Sequence, residues 1–235
     1  MGASQKALAW LFKAGIKEAI DKWAADRPIR SGYAHASDVL KPGKSFCPRR
    51  YVLSILYPKE AVSSPSMGTK VNAYFLNGWS IHEKYQRLIL DNFNAIEVET
   101  EHVSEQYMLK FTPDAIVNML GEEIVVEIKG YNDDKCTTLN ESGKTPRDAY
   151  MQANLYMHLL GIKTAIIMVE NKNTQEILTW CFGYDEVAAL PFIERAKEIV
   201  AGVESGIVPP RTCESVFDSC AVRCPMRTRC FAYAN

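Results

Sequence analysis

No stretch of the 235-residue chain approaches the roughly 18 consecutive apolar residues that a membrane-spanning helix needs. The N-terminus, M-G-A-S-Q-K-A-L-A-W-L-F-K, lacks the long apolar region and cleavage site of a secretory leader. The expectation is a soluble cytoplasmic chain without a membrane partner. Neither sign of charge prevails: 27 Lys and Arg stand against 28 Asp and Glu, a net charge of -1, so a polyanionic partner has to be held by a local patch. A phosphate-binding loop is missing as well. P-G-K-S at 42–45 and S-G-K-T at 142–145 both lack the glycine that such a loop carries five positions earlier, which argues against ATP use. No G-x-S-x-G supplies a serine nucleophile, and there is no internal repeat or low-complexity segment.

What is present suffices for one domain with a real core, since 47% of the residues are hydrophobic and 10% aromatic. Seven cysteines are many for free cytosolic thiols, and an odd count opposes a pure disulfide framework. Cys213, Cys220, Cys224 and Cys230 crowd the C-terminus, Cys47 stands alone near the start, and Cys136 and Cys181 are scattered.

Hydrophobic spacing predicts an amphipathic helix over 4–25, with Leu8, Leu11, Phe12, Ile16, Ala19, Ile20 and Trp23 on its apolar positions and Pro28 just beyond its end. A short helix starts at Pro48, followed by a loop over 58–68. A third helix, 71–90, places Val71, Phe75, Gly78, His82, Tyr85 and Ile89 on one face. Strands are expected at 95–103, 106–118 and 123–129, the last two joined by a turn at Leu120, Gly121 and Glu122. The polar stretch 130–146 reads as loop. A helix over 146–160, strands near 163–170 and 175–182, and a helix over 185–204 precede the cysteine tail. This order describes an α/β sandwich with a mixed sheet, because a return helix lets the next strand pair in parallel. Three regions follow: 1–70 helical, 71–205 the core, and 206–235 the cysteine-rich tail.

The strand E-E-I-V-V-E-I-K-G puts Val125, Glu127 and Lys129 on one face and Ile124, Val126 and Ile128 on the other. An E-x-K pair alone also suits a simple ion pair on an edge strand. One hairpin upstream, F-T-P-D places Asp114 near a strand start, either as a turn residue after Pro113 or as a second carboxylate for one cation. Mg²⁺ takes hard oxygen ligands and keeps waters, so two carboxylates and a backbone carbonyl, that of Ile128, make a suitable shell. Lys129 beside it is placed to position or polarise an attacking water in phosphodiester hydrolysis. Gln152 and Tyr156, four apart on one helix, face the same way. Each, like the inward His82, also fits an ordinary core role.

Taken in order, Cys47 in S-F-C-P-R-R-Y, His82 in G-W-S-I-H, Asp114 in T-P-D, Glu127 and Lys129 in E-I-K, Gln152 and Tyr156 in Q-A-N-L-Y, and the cysteine cluster form a recognisable series. It resembles the RecB-like branch of the PD-(D/E)XK nucleases, in particular the CRISPR-associated iron-sulfur exonucleases and their phage-encoded relatives. The resemblance covers about residues 45 to 235, and residues 1–44 match nothing in it. It implies a restriction-endonuclease-like core of helix, three strands, helix and strand. It assigns Mg²⁺ or Mn²⁺ to His82, Asp114 and Glu127, catalysis to Lys129, and support of the site and DNA to Gln152 and Tyr156. It also implies a 4Fe-4S cluster on Cys47, Cys220, Cys224 and Cys230, leaving Cys213 spare. The tail, C-A-V-R-C-P-M-R-T-R-C, has three residues in its first gap where relatives usually have two. A tetrahedral zinc site on Cys213, Cys220, Cys224 and Cys230 is the competing assignment, although it leaves Cys47 unexplained.

If Cys47 and the tail meet, Arg49 and Arg50 join Arg223, Arg227 and Arg229 in one basic patch that neutralises DNA phosphates, unless these arginines only keep a surface soluble. The functional expectation is a divalent-metal-dependent DNA exonuclease acting on single-stranded or frayed ends in recombination, repair, phage replication or spacer acquisition. The alternative is a DNA-end-binding accessory subunit working beside a helicase, recombinase or integrase.

Overall fold

The computed structural model describes residues 3–27, 32–62 and 67–232. Pro28 and residues 63–66 of the expected 58–68 loop lie outside them. In chain order the elements are α1 (Ala3–Ala25), β1 (Ala34–His35), α2 (Ala36–Val39), α3 (Pro48–Leu56), α4 (Thr69–Asn92), β2 (Ala95–Val98), β3 (His102–Ser104), β4 (Leu109–Phe111) and β5 (Ala115–Met119). They continue with β6 (Glu122–Tyr131), α5 (Asp133–Ser142), α6 (Arg147–Leu160), β7 (Thr164–Asn171), β8 (Ile177–Gly183), α7 (Glu186–Ser205), α8 (Ser219–Val222) and α9 (Arg227–Ala232). No helix among the described residues is long and apolar enough to cross a membrane.

A two-residue turn sets the register of the central hairpin. Leu120 and Gly121 both take positive φ, 55° and 88°, the twist that suits a tight antiparallel connection, and Met119 pairs with Glu122 across it. From there β5 and β6 run antiparallel to the Ala115–Val126 pair. The long β6 then pairs in parallel with β7, the crossover being made by α5 and α6. With β2 on one edge and β8 on the other, the five-stranded order is β2-β5-β6-β7-β8. It is the mixed α/β arrangement that the sequence implies.

Side-chain alternation along β6 gives the sheet two covered faces. Ile124, Val126 and Ile128 pack with Ile81, Tyr85 and Ile89 of α4, while Val125 packs with Ala153, Leu155 and Tyr156 of α6 in the cluster that also takes Ile193 and Ile199 of α7. Fully burying each such aliphatic chain contributes about 1.5–3 kcal/mol, so the two helices are held firmly over opposite sides of one strand. A smaller sheet, β1-β4-β3, sits beside the main one.

Three expectations change. The strand expected over 106–118 is two strands in different sheets, broken where Met108 has a φ of 48° and where Pro113 has no N–H for a ladder. The strand expected over 95–103 is likewise divided, at Glu99, whose φ is 50°. The polar stretch 130–146 contains helix α5, capped at its start by the Asn132 side chain accepting from the Lys135 N–H and at its end by left-handed Gly143. Only Cys136 and Leu139 of α5 are buried, too few to register as a periodic apolar pattern. The helix α1 has the expected span, but residues 5–19 are all exposed, so its apolar positions do not enter the core.

The contact of α3 with α7 depends on Gly202, where an added Cβ would stand 2.7 Å from Val52 Cγ2 and 3.2 Å from the Ile207 carbonyl oxygen. Gly202→Val should therefore destabilise the fold by about 1–3 kcal/mol, the cost of overpacking a close approach. Urea denaturation would show this as a lower midpoint with an unchanged slope.

Candidate metal and catalytic site

The β5–β6 register, extended by one residue beyond the Ala115–Val126 pair, places Asp114 opposite Glu127. Backbone and neighbours then fix each carboxylate. Asp114 Oδ2 accepts the Ile128 N–H at 2.7 Å, and its Oδ1 lies 2.7 Å from His82 Nδ1, on α4. Glu127 is 1% exposed, with Oε1 accepting a hydrogen bond from Lys129 Nζ. Lys129 also donates to Gln152 Oε1 at 3.2 Å, and Gln152 Nε2 donates to the Tyr156 hydroxyl at 2.9 Å. All seven residues expected at the site, His82, Asp114, Glu127, Ile128, Lys129, Gln152 and Tyr156, are thereby drawn into one constellation. The helices over the two faces of the sheet each supply part of it.

Burial sets the electrostatics. It pushes the Glu127 carboxyl up to about 7, with Lys129 pulling it back and Asp114 pushing it further. For Lys129, burial favours the neutral amine, but Glu127 and Asp114 outweigh it and hold the ammonium above its ordinary value. His82 behaves alike: burial opposes its charge, and the hydrogen bond and field of Asp114 raise it on balance. The Tyr156 hydroxyl, buried, stays protonated. Glu127 Oε2 is buried and has no hydrogen-bond partner among the described residues. A buried carboxylate oxygen left alone costs several times what a paired one does, and a cation is the partner that its charge calls for.

Sequence reasoning passed over one acidic neighbour. Asp148 lies four residues before Gln152 on α6, both its oxygens accept from the Tyr131 hydroxyl at 2.8 Å, and its field acts on Lys129. Its spacing of four from Gln152 was the available signal. The Lys135 ammonium sits 3.4 Å over the Tyr131 ring and 3.5 Å from Asp148, which closes this rim.

The cysteines gather elsewhere. Cys47, at the start of α3, lines a cavity of about 600 Å³ together with Cys213, Cys220, Cys224 and Cys230. Cys213, the spare of the sequence reading, is bonded to Cys220 in a disulfide, so the cluster set and the four-cysteine zinc set alike need this bond reduced. Cys47, Cys224 and Cys230 remain free thiols. Burial pushes the Cys224 thiol up, while the Arg50 charge draws it down. Arg50, Arg223 and Arg227 line the same cavity, with Arg211 and Lys41, which the sequence did not single out. Arg49 does not join them. It is 1% exposed, and its guanidinium donates to Cys230 Sγ at 3.2 Å, the Pro209 carbonyl at 2.8 Å and the Cys230 carbonyl at 3.1 Å. Arg229 turns away too, stacked 3.9 Å over Tyr57 and 3.7 Å from Glu60.

No family model matches the chain, and no curated protein does. Among solved structures, the crystal structure of SSO0001 matches over 95% of this chain and 98% of that one, with a TM-score of 0.53 at 17% identity. LHK-Exo in complex with dAMP matches over 75% of this chain and 90% of that one, with a TM-score of 0.56 at 17% identity. The alkaline exonuclease LHK-Exo from Laribacter hongkongensis, in a second structure, matches over 76% and 91%, with a TM-score of 0.56 at 15% identity. At these identities the likeness is one of fold, which this chain shares with the LHK-Exo exonuclease structures.

Proposed function

We propose that the protein is a divalent-metal-dependent DNA nuclease that works from strand ends. The observation that carries this is the unpartnered, buried Glu127 Oε2 opposite Asp114, in a fold shared with exonuclease structures. Asp114, Glu127, His82 and the Ile128 carbonyl are the donors that would hold Mg²⁺ or Mn²⁺, a hard-oxygen set with one imidazole. Such an ion neutralises charge on the phosphate and lowers the pKa of water.

The chain's own groups do the rest. Lys129, kept protonated by the two carboxylates, presents a cation beside the reacting phosphate and orients a water for attack. Gln152 fixes the ammonium, and the Tyr156 hydroxyl fixes Gln152. Asp148 borders this arrangement without touching a carboxylate of the pair. Arg50, Arg211, Arg223 and Arg227 form a basic surface that takes phosphates of the bound strand in a chain of near-zero net charge.

Cys47, Cys224 and Cys230, with Cys220 in the reduced chain, suit an iron-sulfur cluster, since all four face one cavity and Cys47 lies at the positive end of α3. A cluster there would supply a covalent tie between Cys47 and the C-terminal cysteines. DNA is the partner that this reading requires, and a helicase, recombinase or integrase would present its ends.

Cleavage of end-labelled DNA should depend on Mg²⁺ or Mn²⁺, proceed without ATP, and fall at least about 100-fold in Asp114→Ala, Glu127→Ala and Lys129→Ala. Calorimetry should separate the roles, with Lys129→Ala still binding Mn²⁺ and the carboxylate variants not. Binding by wild type should be tighter at pH 8 than at pH 6, because Glu127, raised to about 7, must lose its proton to solvent before its carboxylate can hold the ion. Wild-type cleavage rates in either carboxylate variant would remove the site. Separately, protein purified without oxygen should be brown, with iron and sulfide, and Cys47→Ser should lose the colour as fully as Cys224→Ser. A colourless protein holding one zinc and indifferent to Cys47→Ser would replace the cluster by zinc and leave the nuclease reading standing.

A further inference from the structure

The cavity at the C-terminal tail holds one cysteine more than a 4Fe-4S cluster can use. Cys47, Cys213, Cys220, Cys224 and Cys230 all line it, and such a cluster takes four thiolates. A fifth sulfur either competes for iron or acts on one of the other four. The structure shows the second arrangement, with Cys213 bonded to Cys220 while Cys47, Cys224 and Cys230 stay free.

Local folding explains why these two meet. They are 7 positions apart, and the segment between them turns back on itself. Asp218 Oδ2 accepts the Glu214 N–H at 2.7 Å and the Ser215 N–H at 3.1 Å, and the Asp218 carbonyl accepts the Val222 N–H at 2.9 Å as α8 begins. The rest of the tail is anchored independently, since Arg49 donates to the Pro209 and Cys230 carbonyls. The bond can therefore open or close within its own loop while Cys230 keeps its place.

Access explains which of the four cluster cysteines is at risk. Cys220 is exposed, whereas Cys47, Cys224 and Cys230 are half-buried. An oxidant arriving from solvent meets Cys220 first. A cysteine left as its sulfenic acid goes on to sulfinic acid, which thiols do not reverse, unless a neighbouring thiol condenses with it. Cys213 is that neighbour.

We infer that Cys213 is a resolving thiol for Cys220: in the cluster-free chain it closes a reversible disulfide on a Cys220 oxidised by hydrogen peroxide, and a dithiol reductant returns Cys220 to iron. In the first step the peroxide O–O bond breaks, one oxygen passes to the Cys220 sulfur to give a sulfenic acid, and water leaves. In the second the Cys213 thiol attacks that sulfur, the S–S bond forms, the S–O bond breaks and a second water leaves. Reduction runs by thiol–disulfide exchange, the dithiol ending as its own disulfide. This rests on the iron-sulfur reading above and adds its regulation: the cavity loads iron only while the 213–220 bond is open.

The test follows iron and sulfide uptake by the full chain, stripped of metal with chelator and then treated with stoichiometric hydrogen peroxide or with dithiothreitol. After peroxide, peptide mass mapping of wild type should show Cys213 joined to Cys220, and anaerobic uptake should be about 10-fold below that of the reduced protein. Dithiothreitol should then restore it. Reduced Cys213→Ser should load as reduced wild type does, but after peroxide its Cys220 should map as sulfinic acid, and dithiothreitol should not restore uptake. Should Cys213→Ser fail to fold, the wild-type map and its recovery decide. Absence of the bond in peroxide-treated wild type, full uptake while the bond is closed, or equal recovery in the variant would each overturn the inference and leave the cluster standing. Failure of reduced Cys213→Ser to load would make Cys213 a ligand and overturn it too. If reduced wild type takes up no iron, the cluster reading falls and the inference with it, while the Asp114–Glu127 site stands on its own tests.

Discussion

The arrangement depends on one constraint: a carboxylate, Glu127, held in the middle of a buried strand with one oxygen satisfied by Lys129 and the other by no group among the described residues. Moving such a group out of water is tolerated only where a charge partner compensates it. Lys129 compensates half. The neighbouring Asp114 makes the deficit larger, since two carboxylates on adjacent strands repel, and the rise of the Glu127 pKa to about 7 records both effects. A divalent cation resolves the conflict in one step. A bound ion at this strand, as proposed, would complete the electrostatics that Lys129 satisfies only in part.

The surrounding fold holds that strand from both sides. Through α4, whose Ile81, Tyr85 and Ile89 grip one face of the sheet, His82 is brought to Asp114. Through α6, Gln152 and Tyr156 brace Lys129 from the opposite face. Neither helix can shift without disturbing core contacts, which is how a packed interior fixes a polar constellation. The tail is tied separately. Buried Arg49 on α3 donates to Pro209 and Cys230, so the chain's last segment returns to its first third even without a metal cluster. The cysteine cavity and its arginines are built on that return.

Alternation along E-E-I-V-V-E-I-K-G was enough to read the strand, its two faces and the shared side of Glu127 and Lys129, because period-two burial leaves a direct trace in sequence. The spacing of Gln152 and Tyr156 did the same for α6. What escaped notice did so for physical reasons. The single strand expected over 106–118 ran through Pro113, although a proline there already argued for a break between two sheets. The α5 helix went unread because only Cys136 and Leu139 face inward, while its caps, Asn132 and Gly143, are as common in loops. Arg49 was grouped with surface arginines since charge alone does not reveal burial. The Cys213–Cys220 bond depends on the path of residues 213–220, which no local periodicity encodes.

The central claim is that the Asp114–Glu127 pair is built around a divalent cation. Crystals grown with Mn²⁺ and measured at the manganese absorption edge test it directly, because the anomalous signal locates the ion without reference to activity. The account predicts a peak within bonding distance of both carboxylates, absent from crystals of Glu127→Gln. A peak confined to other acidic residues, or none at this pair under saturating Mn²⁺, would contradict it.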